Sequence, residues 1–142
     1  MKKVFLLVAM YGFFIQSQAQ SVMTKDVPAS IKAGFKKAHP NAKNLKWIKE
    51  GTTFESEFTE NGGERSATFD DSGLLLESEK NIKIASLPAP VAKYVADNHK
   101  GKKITEASKI KDRKGVVTYE AEVNGMDLIF DAKGNYIKSV KD

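Results

Sequence analysis

Cysteine is absent from the 142-residue chain, and tryptophan and histidine are scarce, with one Trp and two His. The missing thiols exclude a disulfide framework, a Cys nucleophile and thiolate metal sites, so the folded part must be held by an apolar core. His39 and His99 fall at equivalent positions of two tandem copies, an arrangement that keeps such residues apart in space unless they face a shared axis. A GxSxG elbow, an HExxH helix and a glycine-rich phosphate loop are also missing, which removes the common signatures of serine hydrolases, zinc proteases and nucleotide enzymes. An enzyme is not expected.

What the chain has begins with Lys2 and Lys3, the apolar run Val4 to Ile15 and the small polar stretch Gln16 to Ser21. This is the charge, hydrophobicity and cleavage pattern of a secretory signal peptide, with Ser17-Gln18-Ala19 as the small-x-small site. The apolar run is shorter than the roughly 20 residues of a membrane-spanning helix, and no Cys follows it to carry a lipid. Residues 1–19 are therefore expected to be removed, leaving an exported protein in the periplasm that is not inserted in the membrane. The formal charge of +5 drops by two when Lys2 and Lys3 leave, and the other Lys residues are interleaved with Asp and Glu. Lys100, Lys102 and Lys103 read as a solvated loop, and export makes a nucleic-acid partner unexpected.

An offset of 60 residues aligns Asp26–Lys43 with Ser86–Lys103, superposing Pro28 on Pro88 and His39 on His99. Phe54–Phe58 (FESEF) corresponds to Tyr119–Val123 (YEAEV), and Phe69–Gly73 (FDDSG) to Phe130–Gly134 (FDAKG). The order of matches is kept, as in a tandem duplication. In each copy Asp26 or Ser86 is placed to cap a helix and Pro28 or Pro88 lies in its first turn. Val27, Ile31 and Phe35, like Leu87, Val91 and Val95, recur every fourth residue along one helical face. The period then falls to two. Strands are expected over 44–49, 53–59, 65–70 and 74–79, and again over 104–111, 117–123, 126–131 and 135–140, with Asn-Gly hairpins at 61–62 and 124–125.

The expected fold is thus α+β: two units, each a helix and a four-stranded antiparallel sheet, joined into one curved sheet with both helices on one face. The boundaries are a tail at 20–25, a first unit at 26–79, a junction at 80–85 and a second unit at 86–142. Ile82 and Ile84 predict a partly apolar interface between the units.

Asp70, Asp71 and Asp131 could contribute to a calcium loop, but six to eight oxygen ligands are needed, and Asp followed by Gly between strands better fits a tight turn. His39 and His99 read as helix-end residues against a terminal carbonyl. Glu55, Glu57, Glu120 and Glu122 alternate with inward apolar residues, so they form a charged, solvated outer face rather than a catalytic pair, and that face is usable for recognition. Trp47 either anchors a partner or shares the inward side of Leu45, the second being slightly favoured by alternation.

The ordered set VPASIKAGFKKAHPNAKNLKWIKEG, FESEF, FDDSG, LPAPVAKYVADNH and IFDAKGNYIK, covering Val27 to Lys138, resembles the PepSY-like family of exported bacterial proteins. That family is frequent in Bacteroidetes and is also described as beta-lactamase-inhibitor-like. The resemblance implies a tandem α+β fold with a continuous curved sheet, and a non-enzymatic role in binding another periplasmic or secreted protein. Glu55, Glu57, Glu120, Glu122 and Trp47 are the candidate binding residues, with steric inhibition of an enzyme as one form of that role. The alternative is a calcium- or small-ligand-responsive sensor using Asp70, Asp71 and Asp131; no other cofactor is expected.

Overall fold

The computed structural model describes residues 19–141. The signal peptide assigned to 1–19 therefore lies, except for Ala19, outside the described residues. After β1 (Gln20–Val22) come α1 (Ala29–Ala38), β2 (Lys43–Glu50), β3 (Thr53–Glu60), β4 (Gly63–Phe69) and β5 (Leu75–Asn81). The second half runs through α2 (Ala89–Asn98), β6 (Ile104–Asp112), β7 (Val117–Val123), β8 (Met126–Asp131) and β9 (Tyr136–Lys141). All nine strands form one antiparallel sheet in chain order, an α+β arrangement with each strand hydrogen-bonded to its sequence neighbour.

The helices begin later than their expected caps. Asp26 and Ser86 end short 3₁₀ turns and make no side-chain cap; Pro28 and Pro88 occupy the cap positions instead. A proline ring restricts the preceding residue to extended backbone. Val27 (φ −77°, ψ 132°) and Leu87 (φ −65°, ψ 148°) obey, so helical geometry cannot start before the proline. Strand β1, which pairs with Trp47–Lys49 of β2, extends the sheet into the segment expected to be a tail.

Both hairpins that close with Asn-Gly use positive φ at both central residues: 53° and 77° at Asn61-Gly62, 56° and 73° at Asn124-Gly125. This backbone twist matches that of paired strands. Registers then fix the faces. Phe58, Arg65, Lys80, Lys109, Tyr119 and Phe130 lie in one row across the sheet. The row joins residues packed near α1 to residues packed near α2, so both helices lie on the same side.

The core is divided. Val27, Ile31 and Phe35 pack with Trp47, Phe54, Phe58, Ala67 and Phe69, whereas Val91 and Val95 pack with Ala121, Val123, Leu128 and Phe130. Between the clusters the helix side carries Ser78, Lys80, Lys109 and Lys111, paired across β5 and β6. Ile84 is exposed. The halves are joined by backbone pairing of β5 with β6, where Ala107 and Ile110 are buried, and Ile82, half-buried, donates its N–H to the Ala107 carbonyl at 2.9 Å.

Candidate functional site: the sheet face opposite the helices

Asp70 and Asp131 are corners of turns. The Asp70 Oδ1 accepts hydrogen bonds from the backbone N–H groups of Ser72 and Leu74 and from the Ser72 hydroxyl. The Asp131 Oδ1 does the same for Lys133 and Asn135, while its Oδ2 accepts from the Asn135 amide. These donors hold both carboxyls below the usual aspartate range, the side chains of Ser72 and Asn135 contributing most. Asp112 repeats the pattern with the N–H groups of Lys114 and Val116, a third corner in Asp112-Arg113-Lys114-Gly115 that lies outside the repeated Phe-Asp motif. Gly73 (φ +88°) brings its turn against α1: a Cβ there would lie 2.4 Å from the Ser30 carbonyl, and one on Gly34 would lie 2.3 Å from the Gly73 carbonyl. The turns thus lock strands to helices. Asp71 is exposed on the first of them, and among the described residues no three His, Asp or Glu side chains are grouped to hold a metal ion.

Both histidines end their helices, as expected, but the side chain of His39 departs from expectation. The His39 Nδ1 meets the Glu60 Oε2 at 3.2 Å, and its ring lies 4.5 Å from Phe58, so its partner is a carboxylate rather than a helix-end carbonyl. His99 sits beside Tyr94 in the other half. Trp47 is buried at 2% exposure, edge-on to Phe35 at 5.4 Å and opposite Ser56 in the register. It belongs to the helix-side core and does not share a face with the glutamates.

The four glutamates do share the other face, but it is not the freely solvated surface expected of them. Glu55, Glu120 and Glu122 are only 3%, 8% and 6% exposed, and Glu57 is half-buried. Registers place more acids there than alternation in β3 and β7 revealed. One row runs Glu55, Thr68, Glu77, Asp112; the next runs Glu57, Ser66, Glu79, Ile110. Glu122 stands between Glu106 and Asp127. Glu77 and Glu79 escaped sequence reading because they form no part of the matched segments. The signal was the Glu-x-Glu repeat at 77–79, in step with those at 55–57 and 120–122.

Burial raises Glu55, Glu77 and Glu79. The Glu55 carboxyl is pushed up to about 8, chiefly by loss of water and then by the charges of Glu57, Glu50 and Glu79, against a smaller opposing effect of the Ser66 hydroxyl. Glu77 rises to about 7 through burial, then Glu79 and Asp112, with Lys138 opposing. Glu79 rises to about 7 through burial and then Asp127, with Ser108 opposing. Asp127 is on β8 and Lys138 on β9, three and four strands from β5. In a flat sheet, with strands about 4.8 Å apart, those distances would be roughly 14 and 19 Å. Their influence on Glu77 and Glu79 reflects a sheet bent toward this face.

An antiparallel sheet with two helices on one side and carboxylates on the other defines a class of small α+β proteins. Within it, the chain matches the model of the PepSY-like family, described as "putative beta-lactamase-inhibitor-like", over residues 14–77 and 52–138, and it belongs to that family. Solved structures share the fold. One from Bacteroides eggerthii, described as "putative periplasmic proteins", has a TM-score of 0.72 at 16% identity over 80% of this chain and 88% of that one. A DUF2874 family protein from Bacteroides uniformis gives 0.70 at 19% over 80% and 88%. A BLIP-like protein from Bacteroides fragilis gives 0.65 at 20% over 80% and 84%. No curated protein matches the chain in sequence. No described helix is long and apolar enough to cross a membrane.

Proposed function

We propose that the chain is a non-enzymatic, periplasmic protein-binding module, built from two copies of one unit at 26–79 and 86–142, that docks a partner protein on the sheet face opposite its helices. The observation that carries this reading is the distribution of groups on the two faces. The helix side closes over two apolar clusters, whereas the other side concentrates carboxyls whose raised protonation disfavours them as a purely structural surface. Desolvated carboxyls lower stability as they ionise, and such a cost is commonly borne where a surface must bind. Likeness to a BLIP-like protein supports the same direction at the level of fold. Inhibition of a secreted enzyme would then be steric, through roughly 800 Å² of contact per partner, without covalent chemistry.

Capture from periplasmic extract, followed by charge reversal at Glu57 and Glu122, tests the proposal. A partner retained by the wild type should be lost from Glu57→Arg; equal retention by both reversed variants would remove this face. The calcium-responsive alternative uses Asp70, Asp71 and Asp131, and the first and last of these are already engaged by their own turns. It requires calcium to raise the melting temperature of the wild type but not of Asp70→Ala or Asp131→Ala.

A further inference from the structure

Resting on that docking reading, we propose that the slot between β3 and β5 seats a single basic side chain, Lys or Arg, from the partner's docking segment. Two parallel rows build it: Glu55, Thr68 and Glu77, then Glu57, Ser66 and Glu79. In each row a carboxylate on β3 faces a carboxylate on β5 across a short hydroxyl side chain on β4. The two walls are two strand spacings apart, about 9.5 Å, and the floor is low. That is room for one ammonium or guanidinium group.

Vacant bonding capacity points to the same occupant. Glu55, Ser66, Thr68 and Glu79 are each more than nine-tenths buried. Ser66 lies near enough to Glu55, and Ser108 to Glu79, to favour their charged forms, but among the described residues no hydrogen bond of ordinary distance and angle reaches the Glu55 Oε1, either Glu79 carboxyl oxygen, or the hydroxyls of Ser66 and Thr68. Buried polar groups ordinarily have partners, and these include acceptors that only a donor can satisfy. A cavity of about 740 Å³ includes Glu57, Ser66, Glu79, Asn81 and Glu106 in its lining, giving a donor a way in. A bare cation is a poorer fit, because the carboxyls stand in separated rows and no three-ligand group is found among the described residues. Arginine would offer several donors in a planar fork and lysine three around one nitrogen.

The second half does not repeat the slot. Across β8 and β9 the Glu120 row continues to Ile129 and Lys138 and the Glu122 row to Asp127 and Val140, so the far acidic wall is missing. The basic side chain is therefore assigned to the first half, with the second half as an adjoining contact surface.

The test uses three blocked Gly/Ser peptides whose central residue is Arg, citrulline or Gln, titrated into the mature protein while amide NMR signals are followed. The Arg peptide should shift the amides of residues 55–57, 66–68 and 77–79 saturably, and bind at least about tenfold more tightly than the citrulline peptide. Glu79→Gln should lose about tenfold in Arg-peptide affinity, with Glu55→Gln as a second variant should the first misfold. Equal binding of Arg and citrulline peptides at these amides would overturn the basic-side-chain assignment and leave the docking face standing. Shifts at the same amides from CaCl2 with none from the Arg peptide would reassign the slot to a cation and overturn the proposal. Absence of peptide shifts, together with partner capture indifferent to Glu57→Arg, would overturn both readings.

Discussion

Replacing Glu55 by Gln keeps the shape of a buried side chain and removes its titration, so it isolates what burial of that carboxyl does to stability. In the unfolded chain Glu55 loses its proton near the ordinary glutamate value of 4.5, whereas in the folded protein it holds the proton to about 8. The folded state therefore binds the extra proton between those limits. Stability from this group is complete below about pH 4.5 and lost as pH rises through about 8. One pKa unit corresponds to about 1.4 kcal/mol, which sets an upper bound of about 5 kcal/mol for the group. Because Glu57, Glu50 and Glu79 contribute to the shift, the single substitution should remove less, on the order of 2–3 kcal/mol. Glu77 and Glu79 act in the same direction between about 4.5 and 7. Urea denaturation at constant ionic strength should show the wild type weaker at about pH 8.5 than at about pH 5, with a shallower slope for Glu55→Gln. Equal slopes for the two proteins, or a wild type equally stable at both pH values, would refute the claim that burial holds the proton on Glu55.

Gly34→Ala places a methyl group 2.3 Å from the Gly73 carbonyl oxygen, so the helix or the turn must move; a loss of about 2–4 kcal/mol in urea unfolding is expected. Trp47→Ala should cost about 3–5 kcal/mol by emptying the core beside Phe35, while leaving partner capture by the remaining folded protein unchanged in affinity. Asp131→Ala removes the acceptor of the β8–β9 turn and should lower the melting temperature. The wild-type advantage should disappear as pH falls below the ordinary aspartate value of 3.8 and through the lower folded-state one.

The strands were legible because their apolar period of two is uninterrupted in Phe54, Ser56 and Phe58 and in Tyr119, Ala121 and Val123. The Asn-Gly pairs announced their hairpins because few other residues tolerate positive φ in succession. The helix faces were equally plain: Val27, Ile31, Phe35, Val91 and Val95 are buried. Helix starts were not, because Asp26 and Ser86 are good caps in isolation and the restriction by the following proline outweighs that preference. The site was only half legible. Alternation tells which side chains share a strand face but not how far the sheet bends toward it, so Glu55 and Glu120 read as solvated. The slot itself depends on the register of β3, β4 and β5, which places Thr68 between Glu55 and Glu77 and Ser66 between Glu57 and Glu79. That register comes from hairpin geometry and long-range pairing, neither of which the spacing within one strand reports.

The central claim, that a partner docks on the carboxylate face, is tested most directly by photo-crosslinking in the periplasm from two positions. One crosslinker replaces Glu57 on that face, and the other replaces Lys109 on the helix side, where it lies between the two apolar clusters. Adducts from position 57 with none from position 109 are predicted. Adducts from position 109 with none from position 57 would contradict the account.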